Sequence, residues 1–230
     1  THSIASLYKA DGCVLAPSGM AAITTGLMSI LKSKDHILIP DSVYGSTRRF
    51  VKEEFPRLNI QFEFYNSRDL KHLESLIKDN TSAIYLESPG TYTFEIIDIQ
   101  KVVNISKKYN LKTLIDNTWA TALYFNPLEF GVDIVIEAIT KYISGHSDIM
   151  MGAVVGNDEN FIELKRWTKN SGTYVSPDDV YLSLRGLRTL PLRLRQSSDN
   201  SIAVAQFLEN KDEVKKVIHP ALPQHPDHKI

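Results

Sequence analysis

The sequence predicts an α/β fold, a mainly parallel sheet with helices on both faces. Two observations carry this. Short runs rich in β-branched and aromatic residues alternate with longer runs at helical spacing, the pattern of successive βαβ units. Hydrophobic residues make up 43% of the 230-residue chain against 23% charged, an ordinary globular composition at a length that suits one sizeable α/β domain or one domain and part of another.

The strand-like runs are HILIP (36–40), IQFEFY (60–65), SAIYLES (82–88), LKTLID (111–116), DIVIEA (133–138) and GAVVG (152–156). The helical runs between them are GMAAITTGLMSILK, STRRFVKEEF, DLKHLESLIKDN and DIQKVVNISKKYN, the last two opening on the N-cap candidates Asp69 and Asp98. After residue 156 the pattern changes. ENFIELKRWTKN reads as a helix, and 176–210 reads as a long helical region in which Pro191 kinks one helix or joins two. VKKVIHPAL (214–222) reads as the first strand of a further unit. The expected division is a large domain over 1–188, then a linker helix and the beginning of an incomplete C-terminal α+β domain over 189–230.

A net charge of -1 gives no electrostatic footprint for nucleic acid or an anionic membrane surface, and no apolar run reaches the length of a membrane span. The first residues, THSIASLYKADG, lack the basic leader and apolar core of a secretory signal, so a cytoplasmic protein is expected. Cys13 is the single cysteine, which excludes a disulfide framework and a cysteine zinc site; beside Val14 and Leu15 it reads as a core thiol. No histidine–carboxylate set has metal-ligand spacing, so no metal is assigned.

In open α/β sheets ligands bind at the carboxyl ends of the strands. Pro17-Ser18-Gly19 precedes a helix, where free N–H groups at Gly19 and Met20 and the helix dipole suit a phosphate. Tyr44 follows the 36–40 strand and suits a planar ligand. YLESPG (85–90) needs nothing beyond a turn. Asp116 ends an apolar run, where a carboxylate calls for a cation or several hydrogen bonds. Lys141 follows DIVIEAIT; a partly desolvated amine there has a lowered pKa and attacks carbonyls. Taken singly, each has an ordinary reading: a serine cap, a loop tyrosine, a turn-forming Asp-Asn pair, a lysine reaching solvent. Together they are the parts that hold pyridoxal 5'-phosphate: a phosphate nest, a ring cover, a partner for the pyridine nitrogen, and an amine for the aldehyde.

PSGMAA (17–22), DNTWA (116–120), ITKYISGHSD (139–148) and RGLRTLPLRLRQ (185–196) resemble the Cys/Met-metabolism family of fold-type-I pyridoxal-phosphate enzymes, over essentially the whole chain. Within that family the likeness is to the cystathionine β-lyase branch. Ala138 ahead of Thr140-Lys141, Gly90-Thr91 after Glu-Ser-Pro, and Trp119 point the same way. The resemblance implies the fold-type-I fold, with 1–188 as the cofactor-binding domain. It makes Lys141 the cofactor-holding lysine and proton shuttle, Asp116 the partner of the ring nitrogen, and Tyr44 the stacking ring, also near the substrate. It gives the phosphate the N–H groups of Gly19 and Met20 and the hydroxyl of Thr140. Asp148 reads as scaffold beside the lysine loop and His146 as positional. The implied reaction is α,β-elimination of L-cystathionine to homocysteine, pyruvate and ammonia, as in transsulfuration and methionine biosynthesis. The implied assembly is a homodimer or homotetramer. Against the family's pattern the chain is expected to lack an N-terminal arm and most of the C-terminal domain. Three other outcomes stay open: an inactive remnant, a γ-lyase or γ-synthase reaction, and racemisation as a side activity.

Overall fold

A computed structural model describes all 230 residues. Its centre is a seven-stranded sheet in the order β1-β7-β6-β5-β4-β2-β3. The strands are β1 (Gly12–Ala16), β2 (His36–Pro40), β3 (Gln61–Tyr65), β4 (Thr81–Glu87), β5 (Lys112–Asp116), β6 (Ile134–Glu137) and β7 (Gly152–Gly156). Strands β2 to β6 pair in parallel. Helical crossovers make this possible: α3 (Gly45–Glu54), α4 (Leu70–Ser75), α5 (Ile99–Lys108) and the single turn α6 (Thr121–Tyr124) return the chain between successive strands. Between β6 and β7 there is no helix, and the chain comes back antiparallel; β7 then pairs antiparallel with β1.

Side chains alternate across the sheet and build two cores. Leu38, Ile84, Leu86, Ile115, Val135 and Val155 face one side, against Tyr8 of α1 (His2–Tyr8), Val102 and Val103 of α5, and Leu190 and Leu194 of α9 (Leu190–Glu209). Ile37, Ile39, Tyr85, Leu114, Ile136 and Val154 face the other, against Ala22, Ile23 and Leu27 of α2 (Gly19–Ile30), Val51 of α3, and Leu164 of α7 (Asp158–Ser171). Each large aliphatic side chain fully buried this way contributes roughly 1.5–3 kcal/mol.

The six strands expected between residues 36 and 156 are all present, with ends shifted by a residue or so. Four short elements lie outside the expected set: α1, β1, α6 and a 3-10 turn over Pro127–Phe130. The helix expected over 69–80 stops at Ser75, because Thr81 Oγ1 takes the Lys78 N–H and Lys78 O takes the Thr81 N–H, closing a turn. The 176–210 region is two helices, α8 (Pro177–Leu187) and α9, with Pro191 in the first turn of α9, where a missing N–H costs nothing. The strand expected over 214–222 does not form. Instead the tail runs in turns, with Leu222, His225 and Asp227 buried. Asp227 receives Arg68 Nε at 3.1 and 3.0 Å and the Ile96 N–H at 3.1 Å. No helix is long and apolar enough to cross a membrane.

Candidate active site

The parallel strands end at one edge of the sheet. β1 ends there too, because it is antiparallel to β7, itself antiparallel to β6. All six expected site residues follow or end a strand at this edge. Beyond β1, Ser18 caps α2: its Oγ accepts the Ala21 N–H and its carbonyl the Ala22 N–H, both at 3.0 Å. The N–H groups of Gly19 and Met20 have no partner within the helix and form an anion nest. Gly19 lies against Ala138, so closely that a Cβ on it would stand 2.8 Å from the Ala138 Cβ. The Ala138 N–H donates to Thr118 Oγ1 at 2.8 Å, and the Thr118 N–H donates to Asp116 Oδ1 at 3.0 Å. Asp116 is in register with Glu87 on β4, so both carboxyl groups leave the same face. Glu87 Oε2 accepts the Tyr44 N–H at 2.8 Å, and Glu87 Oε1 accepts the Thr91 hydroxyl. A continuous set of contacts thus runs from the anion nest, past the turn that carries Lys141, to Tyr44.

The electrostatics of this edge are unbalanced. Burial raises the Asp116 carboxyl above the usual aspartate range. Burial, and then Asp116, push the Glu87 carboxyl up to about 8. Neither makes an ion pair with any lysine, arginine or histidine of the chain. Two carboxyl groups on one face without a cation suit a ligand that brings its own positive charge. Behind the sheet sits a third. Glu137 is fully buried, burial pushes its carboxyl up to about 8, and its Oε2 accepts the Tyr8 hydroxyl. Asn117 Nδ2 donates to Tyr8 Oη at 3.1 Å and to Phe125 O at 2.9 Å, which fixes the backbone next to Asp116.

Lys141 stands in the turn after β6, its N–H on Ala138 O at 3.0 Å. Its side chain is exposed in the single chain, so the partial desolvation expected there is not present. Tyr44 is 43% exposed at the start of α3, with its backbone tied to Glu87. The Thr140 hydroxyl donates to Met151 O at 3.1 Å and accepts the Met151 N–H at 3.0 Å; its one proton reaches a phosphate only if the hydroxyl turns away from Met151. His146 is exposed, with Nδ1 2.6 Å from Ser144 O. Asp148 is exposed and makes no hydrogen bond or ion pair, so it does not brace the lysine turn as expected. Glu87, expected as no more than part of a turn, carries the same signal as Asp116: a carboxylate closing an apolar run.

The family model described as "Cys/Met metabolism PLP-dependent enzyme" matches residues 1–230. A Wolbachia pipientis wMel protein named "L-alanine/L-glutamate racemase" is 39% identical over 100% of this chain and 57% of its own length. A Haemophilus influenzae "Cystathionine beta-lyase" is 39% identical over 95% of this chain and 56% of its own. The crystal structure of metB from Corynebacterium glutamicum superposes with a TM-score of 0.96 at 35% identity, covering 99% of this chain and 59% of that one. The chain therefore spans less than two thirds of the length of these relatives. A match over the whole chain places it: the protein belongs to the Cys/Met metabolism PLP-dependent enzyme family.

Proposed function

We propose that this chain is the cofactor-holding part of a carbon–sulfur lyase that cleaves L-cystathionine by α,β-elimination to homocysteine, pyruvate and ammonia. The observation that carries the reading is the single sheet edge on which the anion nest at Gly19 and Met20, the uncompensated Asp116, Tyr44 and Lys141 all meet. These residues suit pyridoxal 5'-phosphate, which when bound supplies an electron sink for the substrate α-carbon. Gly19 and Met20 N–H groups receive the phosphate. Asp116 partners the protonated ring nitrogen, the cation its burial calls for. Tyr44 covers the ring. Lys141 Nζ would hold the aldehyde, and its amine would take the α-proton of the amino acid. The electron pair left on the α-carbon would form a Cα–Cβ double bond as the Cβ–S bond breaks; the thiolate would take up a proton as homocysteine, and water would turn the remaining three-carbon enamine into pyruvate and ammonia. The reading rests on this geometry, on the family, and on a relative named for the β-lyase reaction. A relative named as a racemase favours a second reading, in which the α-proton is returned to the opposite face.

The test is an absorbance spectrum of the chain with added pyridoxal phosphate, beside Lys141→Ala. A band at about 420 nm that requires Lys141 is expected from the cofactor's own chemistry. Cystathionine is then added. Pyruvate release supports β-elimination, 2-oxobutyrate replaces it with γ-elimination, and D-alanine formed from L-alanine without either supports the racemase reading. Folded protein with no Lys141-dependent band overturns the site.

A further inference from the structure

The arginine-rich segment 185–196 finds no role in the site as described, yet one of its arginines reaches the lysine turn. Lys141 sits in a compact turn closed by Ser144 N–H on Ile139 O and Gly145 N–H on Lys141 O, both at 2.9 Å. The carbonyls that leave such a turn have no partners of their own. Arg193 of α9 supplies them. Its Nη1 donates to Tyr142 O at 2.7 Å, and its Nη2 to Ile143 O at 3.2 Å and to Gly186 O at 2.8 Å. Its Nε donates to Thr189 Oγ1 at 3.0 Å, so the guanidinium is spent on the lysine turn and the α8–α9 junction. It has no carboxylate partner. Two glycines make room for this. Gly145 has a φ of 72°, and a Cβ on it would stand 1.8 Å from Arg193 Nη1. A Cβ on Gly186 would stand 2.3 Å from Ser144 O and 2.5 Å from Ile143 O.

We propose that Arg193 is a positioning residue for Lys141, a guanidinium clamp that holds the carbonyl end of the lysine turn and ties it to α9. The proposal rests on the reading that Lys141 holds the cofactor, but its structural half stands apart from it. Arginine suits the task because its planar fork spans several carbonyls at once, which a single ammonium does not. Any displacement of α9 then moves the backbone that carries the amine.

The experiment compares the full chain with Arg193→Lys by hydrogen–deuterium exchange without cofactor, then by pyridoxal-phosphate affinity and induced circular dichroism of the visible band. Losing charge-assisted hydrogen bonds predicts about tenfold faster exchange over 139–145 and about tenfold weaker cofactor binding, with exchange in the central strands unchanged. Faster exchange confined to α8 and α9, with 139–145 and the cofactor signal unmoved, overturns the proposal and leaves a brace between helices. If Arg193→Lys does not fold, Gly145→Ala takes its place, since the added methyl displaces the guanidinium without removing its charge. A wild-type chain with no Lys141-dependent band sinks the cofactor reading, while exchange over 139–145 still decides the clamp.

Discussion

The Tyr8 hydroxyl stands between Glu137 and Asn117 behind the sheet, and Glu137 Oε1 has no partner at all. Tyr8→Phe removes the one donor to that carboxyl and the one acceptor for an Asn117 proton. The expected cost is about 1–3 kcal/mol, read as a lower denaturant midpoint; an unchanged midpoint refutes the account. The same carboxyl sets a pH dependence. Glu87 and Glu137 are raised from 4.5 to about 8. Between those values the folded chain keeps protons that the unfolded chain has released, so stability falls as pH rises toward 8. His36 and His219, lowered by burial from 6.5, oppose this only below that value. Denaturant midpoints should therefore drop from about pH 6.5 to about pH 8.5, with a shallower drop in Glu137→Gln; a flat or rising wild-type series contradicts neutral carboxyls. Asp116 and Lys141 are legible in the sequence because a charge closes a run of apolar residues. Glu137 is not, since it lies inside such a run and its partner Tyr8 comes from the far end of the chain.

Among the elements, α2 carries the anion nest and depends on how closely it lies on β7. Gly152 permits that approach: a Cβ on it would stand 2.5 Å from Ser18 O and 2.7 Å from Ala22 Cβ. Gly152→Ala should push the start of α2 off the sheet, at a cost of about 1–3 kcal/mol, with weaker binding of pyridoxal phosphate. A variant with native stability and native affinity would show that the contact relaxes freely. The alternation of periods makes the parallel strands and the long helices readable in the sequence, because each period reports which faces of an element are buried. β1 escapes because GCVLA is short and holds a glycine and an alanine, weak β formers, and because its pairing partner lies far along the sequence. The 214–222 segment misleads for the converse reason: a β-like composition makes a strand only where the chain pairs it with another.

At the scale of the whole molecule, the tail closes back on the body through Asp227, Arg68 and Ile96. Arg68→Ala should free residues 219–230 to rapid hydrogen exchange and proteolysis while the sheet's protection stays as it was. Loss of protection in β4 and β5 as well would mean that the tail holds the core. The sheet order has a further consequence, one of timing. β1 precedes the other six strands and pairs only with β7, so it waits for residues 152–156. Contacts this far apart in sequence are slow to close. As the residues emerge in order, Tyr44, Glu87 and Asp116 arrive on strands that can already pair, while β1 and the start of α2 still lack their partner strand. Lys141 comes to the edge with β6 on β5, and the anion nest joins it only when β7 arrives and pairs with β1.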